Sequence, residues 1–324
     1  MGLFRNMNRR DGSNQCTNRC FAMAKSLLKA VAVSIVMSQC VVVVEATTYN
    51  LESYGDLQGL FEAAPRDGTL ITYEIDEFIL EDGDSCLGGS GSRGEAIVPS
   101  NTNIKLICNM HGSDCHFSCS GGRHIKLQPN STLELASNVG SNWGFSNAAY
   151  GAIKVGPSSK FVAEEINFWD NHAMGTNEGG AIYARPLSTI ELTESSFNNN
   201  TCYSGNGGAI NLMSGCSLAL EGKTYFTDNE SDIGSGGAIY AAFGAAGGSI
   251  TFSDEVTFES NVASEHGGAI AIEFDAADIV SEAAAGTSPI STEILDLARN
   301  NMVNFDSSNN AKNGSGDAIY IGWI

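Results

Sequence analysis

Hydrophobic and small residues recur along the chain in a fixed order, with a period of about 29 residues. The segment Gly179–Ile182 reads Gly-Gly-Ala-Ile, and it returns three times at spacings of 28, 29 and 31 residues. About ten residues ahead of each copy, a Phe is followed three positions later by an Asn, as at Phe168 and Asn171. Two marks that recur in one register, with a period between 20 and 50 residues, are typical of a solenoid.

Each repeat predicts one coil with three strands: one at Gly-Gly-Ala-Ile, a second with alternating apolar residues, and a short third strand that ends in the Phe mark. Such strands cannot bury a face alone, so stacked coils would give each strand parallel neighbours above and below. Paired glycines suit a bend, Ile and Phe would stack inside, and Asn amides would form ladders at a turn. The residues predicted to have these structural roles are Gly179, Gly180, Ile182, Gly207, Gly208, Ile210, Gly236, Gly237, Ile239, Gly267, Gly268, Ile270, Phe168, Asn171, Phe197, Asn200, Phe226, Asn229, Phe258 and Asn261.

Weaker copies extend the register in both directions. A copy that begins at Tyr150 lies 29 residues before the first strict one, and the series opens with Gly94–Ile97. The last copy, at Gly316, follows the preceding one by 49 residues, which indicates an inserted loop near 274–289. The fold class predicted for 94–324 is therefore all-β, a single right-handed parallel β-helix of about eight coils.

Residues 47–93 lack the repeat and are predicted to form an N-terminal helical cap on the solenoid. Ser53 can cap a short helix that places Leu57 and Phe61 on one face. An alternating strand, Thr69–Ile75, follows it. Terminal repeats are expected to differ from the others because an open end would expose apolar side chains and unpaired strand edges.

An apolar run near the N-terminus predicts export. Leu27–Val44 follows a polar, basic leader, and Val44–Ala46 resembles a small-residue cleavage site. Residues 1–46 are therefore predicted to be a signal peptide that is cleaved. The alternative is a signal anchor that stays in the membrane, because the run is nearly long enough to span it. Both place the protein outside the cell or at its surface, with membrane contact only through the anchor.

The charge balance excludes one class of partner. The chain has a formal net charge of −20, and beyond Ala46 it has 11 basic against 35 acidic residues. Such a surface repels phosphate backbones and anionic lipids, so no nucleic-acid partner is expected.

Six cysteines lie beyond the leader, an even number that favours disulfides in an exported chain. The candidates are Cys86, Cys108, Cys115, Cys119, Cys202 and Cys216. Three of them, Cys108, Cys115 and Cys119, could instead hold zinc with His111 and His116, but their spacing fits no standard zinc finger. N-glycans are permitted, if the export route is eukaryotic, at the sequons of Asn130, Asn199, Asn229 and Asn313.

The paired Gly-Gly-Ala-Ile and Phe-x-x-Asn marks resemble the repeat of chlamydial-type polymorphic outer membrane proteins. More broadly, they resemble right-handed parallel β-helix proteins of the pectin-lyase-like class. The resemblance covers roughly residues 50–324. It is specific for the fold, because two marks recur in phase, and it is weak for function. For function it implies a surface-exposed adhesin.

Catalytic candidates are few. Asp170 and Asp228 occupy one repeat position two coils apart, a separation of roughly 10 Å that is near the carboxylate spacing of inverting glycosidases. Asp and Asn are also ordinary turn residues, and Ser260 at the same position of the next repeat favours that interpretation. A lyase for acidic sugars would need basic residues. The few basic residues predicted in the coils share no repeat position: Arg123, Lys126, Lys154 and Arg185.

These observations favour a secreted or cell-surface β-helix that acts as a non-catalytic adhesion, binding or structural module. Its partner would be an extracellular protein or polysaccharide, and Tyr183, Tyr240 and Tyr320 could form a face that stacks on sugars. The alternative is a carbohydrate-active enzyme of the pectin-lyase-like fold, either a polysaccharide lyase or a hydrolase. No cofactor and no metal ion are expected. Calcium could bridge the column of Asp170 and Asp228, but the sequence contains no calcium loop of the type Asp-x-Asp-x-Asp-Gly.

Overall fold

The computed structural model is a parallel β-solenoid of about seven turns, in agreement with the predicted fold class. It describes residues 48–78, 95–110, 113–118, 120–138, 140–176, 178–244, 246–274, 295–296 and 303–323. The predicted signal segment, 1–46, lies outside these residues, as does nearly all of the predicted insertion at 274–289.

Each regular coil contributes four strands, one more than predicted. In chain order they belong to four parallel sheets, which we name the isoleucine sheet, the nine-stranded sheet, the phenylalanine sheet and the short sheet. The additional strand has two residues and directly follows the Asn of the Phe mark, as Thr201–Cys202 follows Asn200. The sequence pattern misses it because two residues are too few to establish a periodicity.

The isoleucine sheet contains the Gly-Gly-Ala-Ile marks. Its described strands are Ala96–Val98, Ile125–Leu127, Ile153–Val155, Ile182–Ala184, Ile210–Leu212, Ile239–Phe243, Ile270–Phe274 and Ile319–Trp323. Eight strands in one sheet enclose seven full turns, whereas the prediction of about eight coils counted the strands. The nine-stranded sheet contains the alternating strands. Its described members are Thr48–Leu51, Leu70–Phe78, Asn103–Cys108, Thr132–Ser137, Lys160–Glu164, Thr189–Thr193, Ser217–Glu221, Ser249–Phe252 and Leu295–Asp296.

The other two sheets flank the turn that carries the repeated Asn. The described strands of the phenylalanine sheet are Cys115–Ser118, Trp143–Ser146, Ile166–Trp169, Ser196–Asn198, Thr224–Thr227, Val256–Glu259 and Val303–Phe305. Those of the short sheet are His172–Ala173, Thr201–Cys202, Glu230–Ser231, Val262–Ala263 and Asn310–Ala311.

The interior is a set of side-chain columns that run along the solenoid axis. Ile182, Ile210, Ile239 and Ile270 pair in register and are fully buried. A second column consists of phenylalanine rings whose centroids lie between 4.4 and 5.3 Å apart, a spacing at which rings stack favourably. Its members are Phe117, Phe145, Phe168, Phe197, Phe226, Phe258 and Phe305.

A ladder of buried asparagine amides runs beside the phenylalanine column. The Nδ2 group of Asn200 donates to Oδ1 of Asn229 in the next coil at 3.0 Å and to the carbonyl oxygen of Phe168 in the preceding coil at 3.1 Å. Its own Oδ1 accepts from the backbone and side-chain nitrogens of Asn171. Each amide therefore satisfies polar groups in two neighbouring coils, which a buried turn requires.

The paired glycines are needed for two separate reasons. Gly207 has a φ of 74°, in the left-handed region that favours glycine. A Cβ on Gly208 would lie 2.0 Å from the carbonyl oxygen of Gly237 in the next coil, so no side chain fits. Asp317 occupies the second glycine position of the last copy, where no further described coil stacks on it.

The helix Tyr54–Ala63 lies against the first coils, as the sequence predicts. The Ser53 hydroxyl accepts from the backbone nitrogen of Asp56, and Leu57 and Phe61 are buried in the common core. The following strand is longer than predicted, Leu70–Phe78, and it pairs with an unpredicted strand at Thr48–Leu51.

Two boundaries differ from the prediction. Ala96, and not Ile97, pairs with Ile125, so the first repeat is displaced by one residue and Ile97 faces outward. Phe274 belongs to a strand that pairs with Phe243, so the insertion begins after it. Beyond the insertion, the predicted register returns, since Leu295–Asp296 pairs with Ile250–Thr251.

The asparagine ladder predicts a large stability difference between two nearby residues. Asn200→Ala would leave the Phe168 carbonyl and the Asn171 nitrogens without their partner, and we expect the free energy of unfolding to fall by about 3 kcal/mol. Asn198→Ala, at an exposed strand position, should change it by less than about 0.5 kcal/mol. Denaturant titrations of both variants test this, and equal losses would contradict the buried ladder.

His124 predicts a pH dependence of stability. The ring is fully buried between the Tyr54 hydroxyl and the Ser146 carbonyl oxygen, and burial lowers the pKa of His124 to about 3. In the unfolded chain, His124 binds a proton near pH 6.5, whereas in the folded chain it does so only near pH 3. The stability that comes from the neutral ring is therefore complete above pH 6.5 and is lost as the pH falls towards 3. Between pH 7 and pH 5 the free energy of unfolding should fall by about 2 kcal/mol.

The matched variant for this prediction is His124→Gln, because an amide can keep both hydrogen bonds and does not titrate. Denaturation at pH 7 and pH 5 should show a weaker pH dependence in the variant than in the parent. The same dependence in both proteins would refute the assignment to His124.

Candidate functional site

The two acidic candidates lie in a column of turns that runs along the solenoid. Asp170, Asn199, Asp228 and Ser260 have φ values of 53°, 51°, 54° and 55°. Asn199 donates from Nδ2 to Oδ1 of Asp170 at 2.6 Å. The shared left-handed backbone accounts for Asp and Asn at this position, since both tolerate that conformation better than most residues.

The cysteines divide into one disulfide and two buried thiols. Cys108 and Cys115 are joined by a disulfide with a Cα–Cα distance of 5.9 Å, which removes two ligands from the zinc alternative. Cys202 and Cys216 were disulfide candidates, but both are free and fully buried. Cys202 lies in a strand of the short sheet, and Cys216 directly precedes the strand Ser217–Glu221 of the nine-stranded sheet. The spacing of the cysteines in the sequence did not reveal these positions. Cys86, Cys119 and His111 lie outside the described residues.

One of the four sequons is inaccessible. Asn229 is fully buried in the asparagine ladder, where its Nδ2 donates to Asn261 at 2.9 Å and to the Phe197 carbonyl oxygen. A glycan at Asn229 is therefore incompatible with the folded coil. The other candidates have exposed side chains: Asn130, Asn199 and Asn313.

The proposed tyrosine face is only partly present. Tyr183, Tyr240 and Tyr320 do occupy one position of the isoleucine sheet. Tyr240, however, is buried and donates its hydroxyl to Glu273 at 2.7 Å, while Tyr320 stacks on His266 at 4.2 Å. A continuous exposed row of tyrosines does not form.

The candidate site is a charged pocket on the outer side of the isoleucine sheet, with a volume of about 460 Å³. Three consecutive strands of that sheet place Lys126, Lys154 and Tyr183 side by side at one register position. The residues that line the pocket are Glu95, Arg123, Lys126, Lys154, Thr176, Glu178, Tyr183 and Arg185. Four of them are basic and two are acidic, so the pocket is formally positive in a strongly acidic chain.

Arg123 forms the base of this pocket. Its side chain is 2% exposed, and it bridges Glu95 at 3.0 Å and Glu178 at 2.8 Å. The guanidinium also donates to the backbone carbonyl oxygen of Tyr150 at 2.6 Å. A guanidinium with its donors in a rigid fork suits a buried position between two carboxylates.

Two lysines extend the network towards solvent. Lys126 donates to Glu95 at 2.8 Å, and Lys154 lies 3.6 Å from Glu178. The Lys154 ammonium also lies 5.0 Å from the centroid of the Tyr183 ring, within the range of a cation–π interaction. Lys126 keeps 36% of its side chain exposed, so its charge reaches the pocket mouth.

The network shifts the ionisation of its members in two directions. Burial alone would raise the pKa of Glu95, but the hydrogen bond from Lys126 and the charges of Arg123 and Lys126 outweigh burial and hold that pKa below its usual value. Burial raises the pKa of Tyr183 above its usual value. At neutral pH the pocket therefore presents a carboxylate and an un-ionised phenol.

Both buried thiols lie behind the pocket and hold its backbone. Cys202 donates from Sγ to the carbonyl oxygen of Glu178 at 2.8 Å, and Cys216 donates to that of Arg185 at 3.1 Å. Burial raises the pKa of the Cys202 thiol to about 11, which keeps it protonated and able to donate. These cysteines thus have a positioning role that differs from the predicted cross-linking.

The prediction that the basic residues of the coils share no repeat position was wrong. Lys126 and Lys154 share one repeat position, and Arg123 and Arg185 line the same pocket. Lys126 and Lys154 directly follow Ile125 and Ile153, which pair in register in the isoleucine sheet. The usable signal was the residue after each repeated Ile, which reads Lys, Lys and Tyr in successive coils.

Comparison with known families identifies the repeat. Three segments, residues 194–212, 223–242 and 255–273, match the model of the Chlamydia polymorphic membrane protein (Chlamydia_PMP) repeat. Each segment runs from one Phe mark to the next Gly-Gly-Ala-Ile mark, as the predicted resemblance requires. Comparisons with curated proteins and with solved structures yield no significant match. The repeats and the fold together indicate a surface or outer-membrane protein.

Within the part of the chain that the structure describes, no helix is long and apolar enough to span a membrane. The same residues contain no group of three or more His, Cys, Asp or Glu side chains suited to hold a metal ion.

The pocket network predicts a stability effect for its central residue. Arg123→Met would leave Glu95 and Glu178 buried with only their lysine contacts, and we expect the free energy of unfolding to fall by about 3 kcal/mol. Lys160→Met removes an ion pair with Glu191 in which both side chains are 42% exposed, and it should cost less than about 1 kcal/mol. Urea denaturation compares them, and similar losses would count against a buried network.

Proposed function

We propose that this protein is a binding module of a cell surface or outer membrane, which holds an extracellular partner at the charged pocket and performs no chemistry on it. The stacked coils support this proposal because they hold the pocket residues on rigid strands. A surface or outer-membrane position, which the repeats and the fold indicate, would bring the pocket into contact with extracellular ligands.

The observation that carries the proposal is the pairing of every carboxylate in the pocket. Hydrolysis of a glycosidic bond needs a protonated carboxylic acid and a second carboxylate on opposite sides of the bond. Here Glu95 and Glu178 are both bridged by Arg123, and the pKa of Glu95 is lowered, which is the wrong direction for a general acid. The pocket is thus suited to hold charges and not to transfer protons.

A polysaccharide lyase is the second candidate, because the pocket does bring basic residues together with a phenol. A lyase uses cations to neutralise a sugar carboxylate and a base to remove the neighbouring proton. The Tyr183 ring lies against Lys154, but the pKa of its phenol is raised and so it is a poor base. The ammonium groups of Lys126 and Lys154 each contact a carboxylate and so act as cations.

A turnover experiment separates the two candidates. The full chain is incubated with a panel of neutral and acidic polysaccharides, and new reducing ends and unsaturated uronates are measured over hours. We expect no product with any polysaccharide, while at least one extracellular glycan or protein is retained on the immobilised chain. Product that forms with the parent and disappears in Tyr183→Phe would overturn the binding proposal in favour of a lyase.

A further inference from the structure

We propose that the pocket binds an anionic sugar unit of an extracellular glycan, through the carboxylate or sulfate group of that unit. This inference rests on the proposed binding function and names the class of ligand. The pocket residues defined above provide both the charge for the anion and the acceptors for the sugar hydroxyls.

The distribution of charge is the first argument. Beyond Ala46 the chain has 11 basic residues against 35 acidic ones, and four of those 11 line this one pocket. The two acidic lining residues, Glu95 and Glu178, are already bridged by Arg123. Their two negative charges leave a formal excess of two positive charges, which attracts an anion in an otherwise repulsive surface.

The position of the cations is the second argument. Arg123 is buried at the base of the pocket, where its charge is paired with Glu95 and Glu178. A ligand would therefore meet Lys126, Lys154 and Arg185. The Arg185 side chain is exposed and, among the described residues, has no carboxylate within 4 Å. Its planar fork of donors fits the two oxygens of a carboxylate or a sulfate.

The remaining lining residues favour a sugar over other anions. Tyr183 offers part of an aromatic ring, and Thr176 and the Glu178 carboxylate can exchange hydrogen bonds with hydroxyl groups. A volume of about 460 Å³ lies within the range of small-ligand pockets. A sugar unit with one anionic group combines that charge with several neutral hydroxyls, which matches this mixture of lining residues.

Binding of the full chain to defined polymers tests the inference. One arm uses polygalacturonate for carboxylates, a second uses dextran sulfate for sulfates, and their neutral counterparts are methyl-esterified polygalacturonate and dextran. Poly-glutamate serves as an anion without sugar. We expect at least one anionic glycan to bind at least tenfold more tightly than its neutral counterpart and than poly-glutamate, with an affinity that falls as salt rises.

Variants locate the binding. Lys126→Gln and Arg185→Gln should each weaken binding of that glycan roughly tenfold, because each removes one cation from the pocket mouth. Lys160→Gln removes the same charge from the nine-stranded sheet, at a residue that does not line the pocket, and should bind as the parent does. All three positions have partly or fully exposed side chains, and thermal unfolding confirms that each variant is folded.

Three results would overturn the inference: equal binding of anionic and neutral glycans, equal binding of poly-glutamate, or pocket variants that bind like Lys160→Gln. The first two results leave the proposed function in place, because that proposal names no ligand class. The third result leaves a non-catalytic binding module but moves its binding site away from the charged pocket. Turnover of a bound anionic glycan would have the opposite effect, since it would refute the non-catalytic function and leave the ligand class standing.

Discussion

The stacking of each coil on its neighbours is the constraint on which this structure depends. The described strands are too short to bury an apolar face alone, so each coil must match the coils above and below at the spacing of strands in a sheet. The asparagine ladder makes this requirement explicit, because Asn200 needs Asn229 one coil onward and the Phe168 carbonyl one coil back. A repeated residue therefore serves two coils at once, which explains why the marks vary so little.

The same constraint limits where function can reside. The second glycine of each regular mark has no room for a side chain, as Gly208 demonstrates against Gly237, and the Ile and Phe columns fill the interior. Side chains can therefore vary only at outward-facing positions and in coils that depart from the repeat. The pocket uses both, since Lys126 and Lys154 point outward from the isoleucine sheet while Arg123 lies where the early repeat departs from Gly-Gly-Ala-Ile.

Electrostatics then distinguishes this pocket from the rest of the surface. A strongly negative chain concentrates four of its basic residues around two carboxylates, one buried and one partly buried, and Arg123 joins them into one network. Burial of such a network is costly unless its charges are paired, and here each carboxylate contacts a guanidinium and an ammonium group. The pairing stabilises the base of the pocket, and the four basic residues still exceed the two carboxylates by two formal charges.

The sequence by itself determined the period, the parallel sheets, the phenylalanine and isoleucine columns and the capped helix that begins at Tyr54, because each of these repeats or follows a local rule. It could not determine which distant residues share a face. A slip of one residue at Ala96 changed that assignment for the first repeat, and a sequon pattern gave no sign that Asn229 is buried. Only the stacked coils brought Arg123 and Arg185 to one pocket, because residues far apart in sequence become neighbours when whole coils are set in register.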